Sequence, residues 1–429
     1  MIGFSISLSL LTAFLFGLAP SWQSARPDII PELKGSSTRS GSTGLGMRKV
    51  LIVFQIALSV VILFGAGLLT RTLSKLKTID LGFDPARVIA LAVDPAMNGH
   101  RPAEADRIFD EILNRLGAQP GIRAASLAVV SPLSGGMISF GIDVPGYSKK
   151  GTDRQANFNM ISPDYFKTLN QTLLAGRDFD LHDSKNAPKV AIVNEVFAEQ
   201  FMSGQNPIGR RFKLEGGDRE IIGIVKNARY QTLREQLGPL VYLPVAQMQN
   251  SGYTLLVRTN LRRQQAIAEI EHIIHSVDSK LPIYDIQELQ DQIDQTMSSE
   301  RVLSFLSTLF SALATILCSL GIYGLIAYAV SRRTREIGIR FAIGAQQADV
   351  ARLFLRESIF LVLLGVAAGI PLALVSTRAL KSLLFGVAAT DVSALTWTIA
   401  IFLMTGVLAS LLPVLKAARI EPLEALRYE

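Results

Sequence analysis

The sequence predicts an α-helical membrane protein that carries a large α+β extracytoplasmic domain, and three observations predict it. Residues of the AVILMFWYC set make up 49% of the 429-residue chain, charged residues only 18%, and mean hydropathy is +0.33. An ordinary soluble protein carries ~25% charged residues. The apolar residues also gather into five long runs, and ~20 apolar residues in a helix cross a hydrocarbon core of ~30 Å. Between the second and third runs lies a long polar stretch, residues 71–301.

The five runs are Ile2 to Ala19, Val50 to Thr70, Val302 to Val330, Ile359 to Thr377 and Ala394 to Val414. Each is expected to be helical, because hydrocarbon offers no partner to a backbone N–H or C=O. Orientation follows from short loops, where Lys and Arg resist translocation. Arg26, Lys34, Arg39, Arg48 and Lys49 fill one loop, and Arg332, Arg333, Arg335, Arg340, Arg352 and Arg356 fill another. Both are expected in the cytoplasm, with Lys416, Arg419 and Arg427 on the same side. The stretch after Arg378, with Lys381 and Asp391, is expected outside, as is the polar middle domain. Localisation in a cell inner (cytoplasmic) membrane follows, with the large domain on the periplasmic or extracytoplasmic side.

The net charge of +7 could in principle serve nucleic acid or a membrane. Its position decides: from Arg71 to Arg301 basic and acidic residues are equal in number, so the excess lies in the flanking parts. A nucleic-acid-binding domain is excluded on that ground.

The first run lacks the Lys or Arg that normally precedes the apolar core of a signal peptide, and it reads as a span. The segment "LAPSWQSARPDIIPELK" from Leu18 resembles "LLPVLKAARIEPLEALR" from Leu411, with Pro20 and Pro413 each followed by Ala-Arg at the same spacing. The beginning of the chain thus reads as the end of an earlier copy. Gly35 to Gly46 is Gly/Ser/Thr-rich and reads as a flexible linker. The expected organisation is 1–34, the last helix and tail of a preceding repeat; 35–49, a cytoplasmic linker; 50–70, a transmembrane helix; 71–301, the outer domain; 302–422, three further transmembrane helices; and 423–429, a tail.

Within the outer domain, Val88 to Val93, Ala124 to Val130, Val190 to Val193, Ile221 to Val225 and Thr254 to Arg258 read as strands. Ala103 to Leu116, Glu195 to Met202 and Arg262 to Ser279 show helical spacing. The irregular alternation points to α+β, in two subdomains. Cys318 is the single cysteine, so neither an internal disulfide nor a Cys-based metal cluster can form.

The most informative cytoplasmic segment runs from Ser331 to Ser358. Ile337, Ile339, Phe341 and Ile343 supply apolar contacts, Gly338 and Gly344 permit close approach or a turn, and Val350, Leu353 and Phe354 form the stripe of a following helix. A helix lying on anionic lipid is the plain alternative. The interspersed Glu336, Asp349 and Glu357 favour a protein groove over lipid.

The segment "REIGIRFAIGA", Arg335 to Ala345, resembles the signature of FtsX-like permease domains of MacB-type ABC transporter permeases. The middle domain is similar to the MacB-like periplasmic core: "GFDPARVIAL" from Gly82 is followed in order by "VAIVNEVFAEQF", "NPIGRRFKL", "EIIGIVKNARY" and "PLVYLPVAQ". With a copy end upstream, the chain resembles the back half of a duplicated permease of the acidobacterial duplicated orphan type. Phe341 stands where the family often has a second basic residue. The resemblance implies that Arg335, Glu336, Ile337, Gly338, Ile339, Arg340, Ala342, Gly344, Ala345, Val350, Leu353 and Phe354 receive motion from a separate ABC ATPase subunit. It also implies a second permease half or homodimer partner and a periplasmic adaptor.

Nucleotide is expected on that other subunit, since a phosphate-binding loop of the Walker type needs Gly-Lys and this chain has no such dipeptide. "LSGG" at Leu133 to Gly136 resembles an ABC signature but lies in the outer domain, where it reads as coincidence. His272 and His275 beside Glu271 could approach a metal, yet the spacing more often marks a solvated helix face. "DFDLHD", Asp178 to Asp183, lacks the glycine and spacing of a calcium loop and reads as a turn. No nucleophile with a base and oxyanion donors stands out, and neither catalysis nor a cofactor is expected. The spans hold essentially no ionisable residues, which disfavours an ion-coupled carrier. Gly65, Gly67, Gly321, Gly324, Gly365 and Gly369 are expected at close helix contacts. The function implied is relay of ATP-driven motion to the outer domain for export of a lipophilic, peptide or lipoprotein cargo. The alternative is an FtsX-like regulator that controls an extracytoplasmic partner without transport.

Overall fold

The computed structural model describes residues 41–147, 154–202, 205–214, 217–248, 252–380, 383–388 and 390–418. The first apolar run, the upstream tail and residues 419–429 lie outside the described residues. Among the described residues four helices are long and apolar enough to cross a membrane: α1 (Gly41–Lys77), α7 (Ser298–Arg332), α9 (Gln347–Leu380) and α10 (Val392–Ala418). They contain the second to fifth runs. Each extends past its run, since adding a residue to a formed helix costs far less than starting one. For that reason α1 begins at Gly41, and residues 41–49, assigned to the linker from composition, are helical.

The chain divides into two compact units, residues 69–305 and the remainder. In the helical unit, Ile56 and Val60 of α1, Ile322 and Ile326 of α7, Val362 of α9 and Phe402 of α10 meet in one buried cluster. Small residues bring the backbones together there. A Cβ placed on Gly369 would lie 2.8 Å from Val60 Cβ, and one on Gly406 2.6 Å from Val362 Cγ2. The Ser358 hydroxyl donates to the Gly406 carbonyl at 3.1 Å. Gly321 faces Gln55 of α1 at 3.2 Å, and Gly67 sits 3.9 Å from Ala394. Gly65 is half-buried. Gly324 departs from expectation: nothing lies within 4 Å of its Cβ position, because α7 turns this residue outward. Pro371 and Pro413 lie inside α9 and α10, whereas α1 and α7 contain no proline.

The other unit is built on an eleven-stranded sheet. Its strands are β1 (Val88–Val93), β2 (Ile122–Ala128), β3 (Ile138–Gly141), β4 (Gln155–Ile161), β5 (Leu173–Gly176), β6 (Val190–Asn194), β7 (Arg211–Leu214), β8 (Gly217–Val225), β9 (Leu240–Pro244), β10 (Tyr253–Thr259) and β11 (Ile283–Glu288). They run in the order β11-β1-β10-β2-β4-β9-β6-β8-β5, with β3 on β4 and β7 on β8. The β4–β9 and β6–β8 pairs are parallel and the rest antiparallel. Between β2 and β4 the ladder narrows to one pair, Ala128 and Ile161. The two subdomains expected are thus two cores on one connected sheet.

The first core packs β1 and β10 against α2 (Pro102–Ala118) and α5 (Arg263–Val277), through Phe109, Ile112, Ile270 and Ile274. On α2 the buried residues Ala105, Phe109, Ile112 and Leu116 recur at helical spacing. The helix starts at Pro102, with the Glu104 carboxylate accepting from the Arg101 N–H at 3.0 Å. The second core packs β4, β6, β7 and β9 around Phe197 and Phe201 of α4 (Glu195–Met202). Short helices α3 (Tyr165–Leu169) and α6 (Leu289–Thr296) complete the unit. Gly82 takes φ +80°, and a Cβ there would stand 1.9 Å from the Asn227 carbonyl oxygen. Only glycine fits that crossing. Beside it Arg258, on β10, reaches the Asp84 carboxylate at 3.0 Å and the Thr168 carbonyl at 2.6 Å.

Candidate functional site

Between α7 and α9 lies α8 (Thr334–Ala342), which starts the segment singled out above. Ile337 and Gly338 are buried, and Ile337 joins Val350 and Phe354 of α9 in the core shared with α1 and α7. Burying an Ile or Phe is worth roughly 1.5–3 kcal/mol where water is the alternative. The amphipathic stripe therefore fixes α8 to the bundle. Ile337, Val350 and Phe354, grouped with the contact residues on sequence grounds, face inward into this core.

The turn after α8 is set by Gly344 at φ +101°. The Gly344 N–H donates to the Phe341 carbonyl at 3.0 Å and the Ala345 N–H to the Arg340 carbonyl at 3.0 Å, closing the helix C-terminus. The Gln346 N–H then donates to the Asp349 carboxylate at 3.1 Å, which starts α9. Val350, Leu353 and Phe354 belong to the same unbroken helix as the fourth run, so no separate surface helix precedes that span.

What remains outward is an apolar tip in a basic setting. Ile343 is 81% exposed, Ile339 43% and Leu353 36%. Arg335, Glu336, Arg340, Ala342 and Gly344 are exposed and Ala345 is half-buried, with Arg352 and Arg356 exposed on α9. Glu336 and Arg340 pair along α8 at 2.5 Å, one turn apart. Exposed apolar side chains thus stand on this turn among guanidinium groups.

Residues outside the expected contact set tie the neighbouring helices together. Glu357 of α9 accepts from the Lys49 ammonium of α1, and Arg333 approaches it at 3.7 Å. The Arg48 guanidinium lies 4.2 Å from the centre of the Tyr328 ring. A carboxylate two residues before an apolar run is the signal that could have exposed the pair; its partner, over three hundred residues away, could not be read. Gly406 was likewise missed, although Gly406 and Ser410 have small-residue spacing.

The remaining candidates resolve simply. His272 and His275 are exposed on the outer face of α5, and among the described residues no group of three His, Cys, Asp or Glu side chains could hold a metal. Asp178 to Asp183 form a turn clamped by Arg177, whose guanidinium makes two bonds of 2.7 Å to Asp183. Leu133 of "LSGG" is buried, its N–H donating to the Tyr230 carbonyl at 2.6 Å in the sheet unit.

A helical membrane unit with a structured inner turn, joined to a large α+β extracytoplasmic domain, defines a permease-type subunit of the membrane. Residues 50–273 match the MacB-like periplasmic core domain and residues 308–422 the FtsX-like permease C-terminal region. The chain belongs to this MacB-like family of ABC-type permeases. A macrolide export ATP-binding/permease protein MacB of Chlorobium luteolum is 29% identical over 272 residues, 59% of this chain and 40% of that protein. A pyoverdine export ATP-binding/permease protein PvdT of Pseudomonas syringae pv. tomato is 26% identical over 345 residues, 78% of this chain and 51% of the relative. The chain thus spans about half the length of such relatives. An uncharacterized ABC transporter permease YknZ of Bacillus subtilis is 27% identical over 301 residues, 66% of this chain and 72% of the relative. The crystal structure of the periplasmic region of MacB from Actinobacillus actinomycetemcomitans aligns at 18% identity, covering 52% of this chain and 97% of that one, with a TM-score of 0.36.

Proposed function

We propose that the exposed face of α8 and the Gly344 turn seat in a separate cytoplasmic ABC ATPase, and that this chain relays ATP-driven motion to its outer domain to export a lipophilic, peptide or lipoprotein cargo. The observation that carries the reading is the two-sided construction of α8. Ile339 and Ile343 are free to enter a partner, while Ile337 is locked to Val350 and Phe354 in a core that includes α1 and α7. A push on the tip cannot be absorbed locally, because a close-packed core transmits displacement. Both α1 and α7 continue without interruption from the helical unit into the residues of the outer unit. The names of the relatives, which couple ATP binding to export, support a transport reading over a purely regulatory one. A second permease half or a second copy, and an adaptor outside the membrane, complete the proposed assembly.

The test is site-specific photo-cross-linking from Ile339 and Ala342 in cells. Adducts with an ATPase subunit are expected, and that subunit should no longer co-purify when Gly338 and Gly344 are both replaced by bulky residues. Adducts with phospholipid alone would overturn the reading.

A further inference from the structure

We propose that the outer unit contains, where α1 ends and α7 begins, a binding cavity for an anionic amphiphile: an alkyl chain bearing a phosphate or carboxylate head. The cavity measures 440 Å³, inside the ~300–1,000 Å³ range of small-molecule sites. Its floor is apolar, made by Leu76, Leu233, Ile293 and Met297, each at most 5% exposed. Such a floor favours hydrocarbon over water.

The rim is charged. Lys77, the last residue of α1, lines the cavity and has no ion pair among the described residues. Arg301 lines it too, bonded at 2.5 Å to Asp294. Two cations against one carboxylate leave a positive edge over an apolar base, the complement of an anionic head on an alkyl chain. The chain geometry supplies the source. Leu76 is six residues beyond Thr70 and Met297 five before Val302, so in sequence each lies within roughly 9 Å of helical rise of an apolar run.

As the cargo class of an export permease the inference rests on the function proposed above, but binding itself requires no ATPase. The test uses the full chain in nanodiscs of phosphatidylcholine, with a diazirine-bearing dodecyl phosphate as probe and the dodecyltrimethylammonium analogue as control. The phosphate is expected to label residues 76–85 or 289–301. Lys77→Glu, at an exposed position, should cut labelling at least tenfold, and Ile293→Trp, which fills the floor, should abolish it. Excess phosphatidylglycerol separates the sources: competition identifies a bilayer lipid as occupant, and its absence a ligand from outside the bilayer, both with an anionic head. Labelling of the spans alone, equal labelling by the ammonium analogue, or insensitivity to Lys77→Glu would each overturn the proposal. A chain that labels as expected without binding an ATPase would sink the coupling reading and leave this site standing.

Discussion

Gly365 of α9 and Ile56 of α1 meet backbone to side chain: a Cβ on Gly365 would stand 2.5 Å from the Ile56 Cβ. With Gly369 one turn on, opposite Val60, this contact joins the span that leads into the outer domain to the helix that follows the Gly344 turn.

Replacing Gly365 by Ala is expected to destabilise the helical unit by about 1–3 kcal/mol, the range for overpacking a filled contact. Ile56→Ala should cancel much of that loss, because the two changes share one contact. Thermal unfolding of the two single variants and the double variant in detergent measures the coupling; strict additivity would refute it.

Lys49 and Glu357 form a second tie between the same two helices, with Arg333 as a third member. Glu357 is only 17% exposed, so removing its charge strands two cations in a half-buried site. Glu357→Gln should lower stability by about 1–3 kcal/mol. The charge swap Lys49→Glu with Glu357→Lys should recover part of it, less than all because Arg333 then faces a lysine. Unfolding midpoints of the three proteins decide the matter.

Ile343 separates coupling from stability. At 81% exposure its replacement by Glu is expected to leave the unfolding midpoint within about 0.5 kcal/mol of the parent. Co-purification of the ATPase should fall at least tenfold, as expected when an apolar anchor at the centre of an interface is lost. Normal recovery of the partner with this variant would count against the tip as the contact.

Two neighbouring carboxylates should give opposite pH responses. Burial raises Asp178 from its ordinary 3.8 to about 6. Asp183 is also pushed up by burial, but the forked Arg177 bond, the Asp180 N–H and the neighbouring positive charge together outweigh this and hold it below 3.8. The folded chain holds the Asp178 proton more tightly than the unfolded chain, so its contribution is full below pH 3.8 and is lost as pH rises through about 6. The Asp183 contribution is present above 3.8 and is lost as pH falls through its lowered value. Asp178→Asn should therefore gain stability relative to the parent between pH 4 and 6 and keep that gain at pH 7. Melting curves at pH 4, 5, 6 and 7 would show it; a constant difference would not fit.

The second to fifth spans were legible because hydrocarbon imposes one solution on a long apolar run, and α4 and β1 because their whole apolar pattern is local. β2 was displaced by two residues since Val129 and Val130 look like strand but leave the ladder at Ala128. β3, β4, β5, β7, β9 and β11 were not anticipated. β3, β5 and β7 have four residues each, too few for a period to show, and the pairing partners of all six are set by the whole sheet. At the Gly344 turn, the family signature marked the segment but not its two sides. Ile337 and Ile339 are alike in sequence, and only the packing of α9 decides which one is buried.

The distribution of proline gives the four spans unequal stiffness. A ring at Pro371 or Pro413 deletes one hydrogen bond in the turn before it and lets α9 and α10 flex there. The other two behave as unjointed rods over 37 and 35 residues. In the relay proposed above, a load entering at the inner turn would meet two members without a proline joint and two with one.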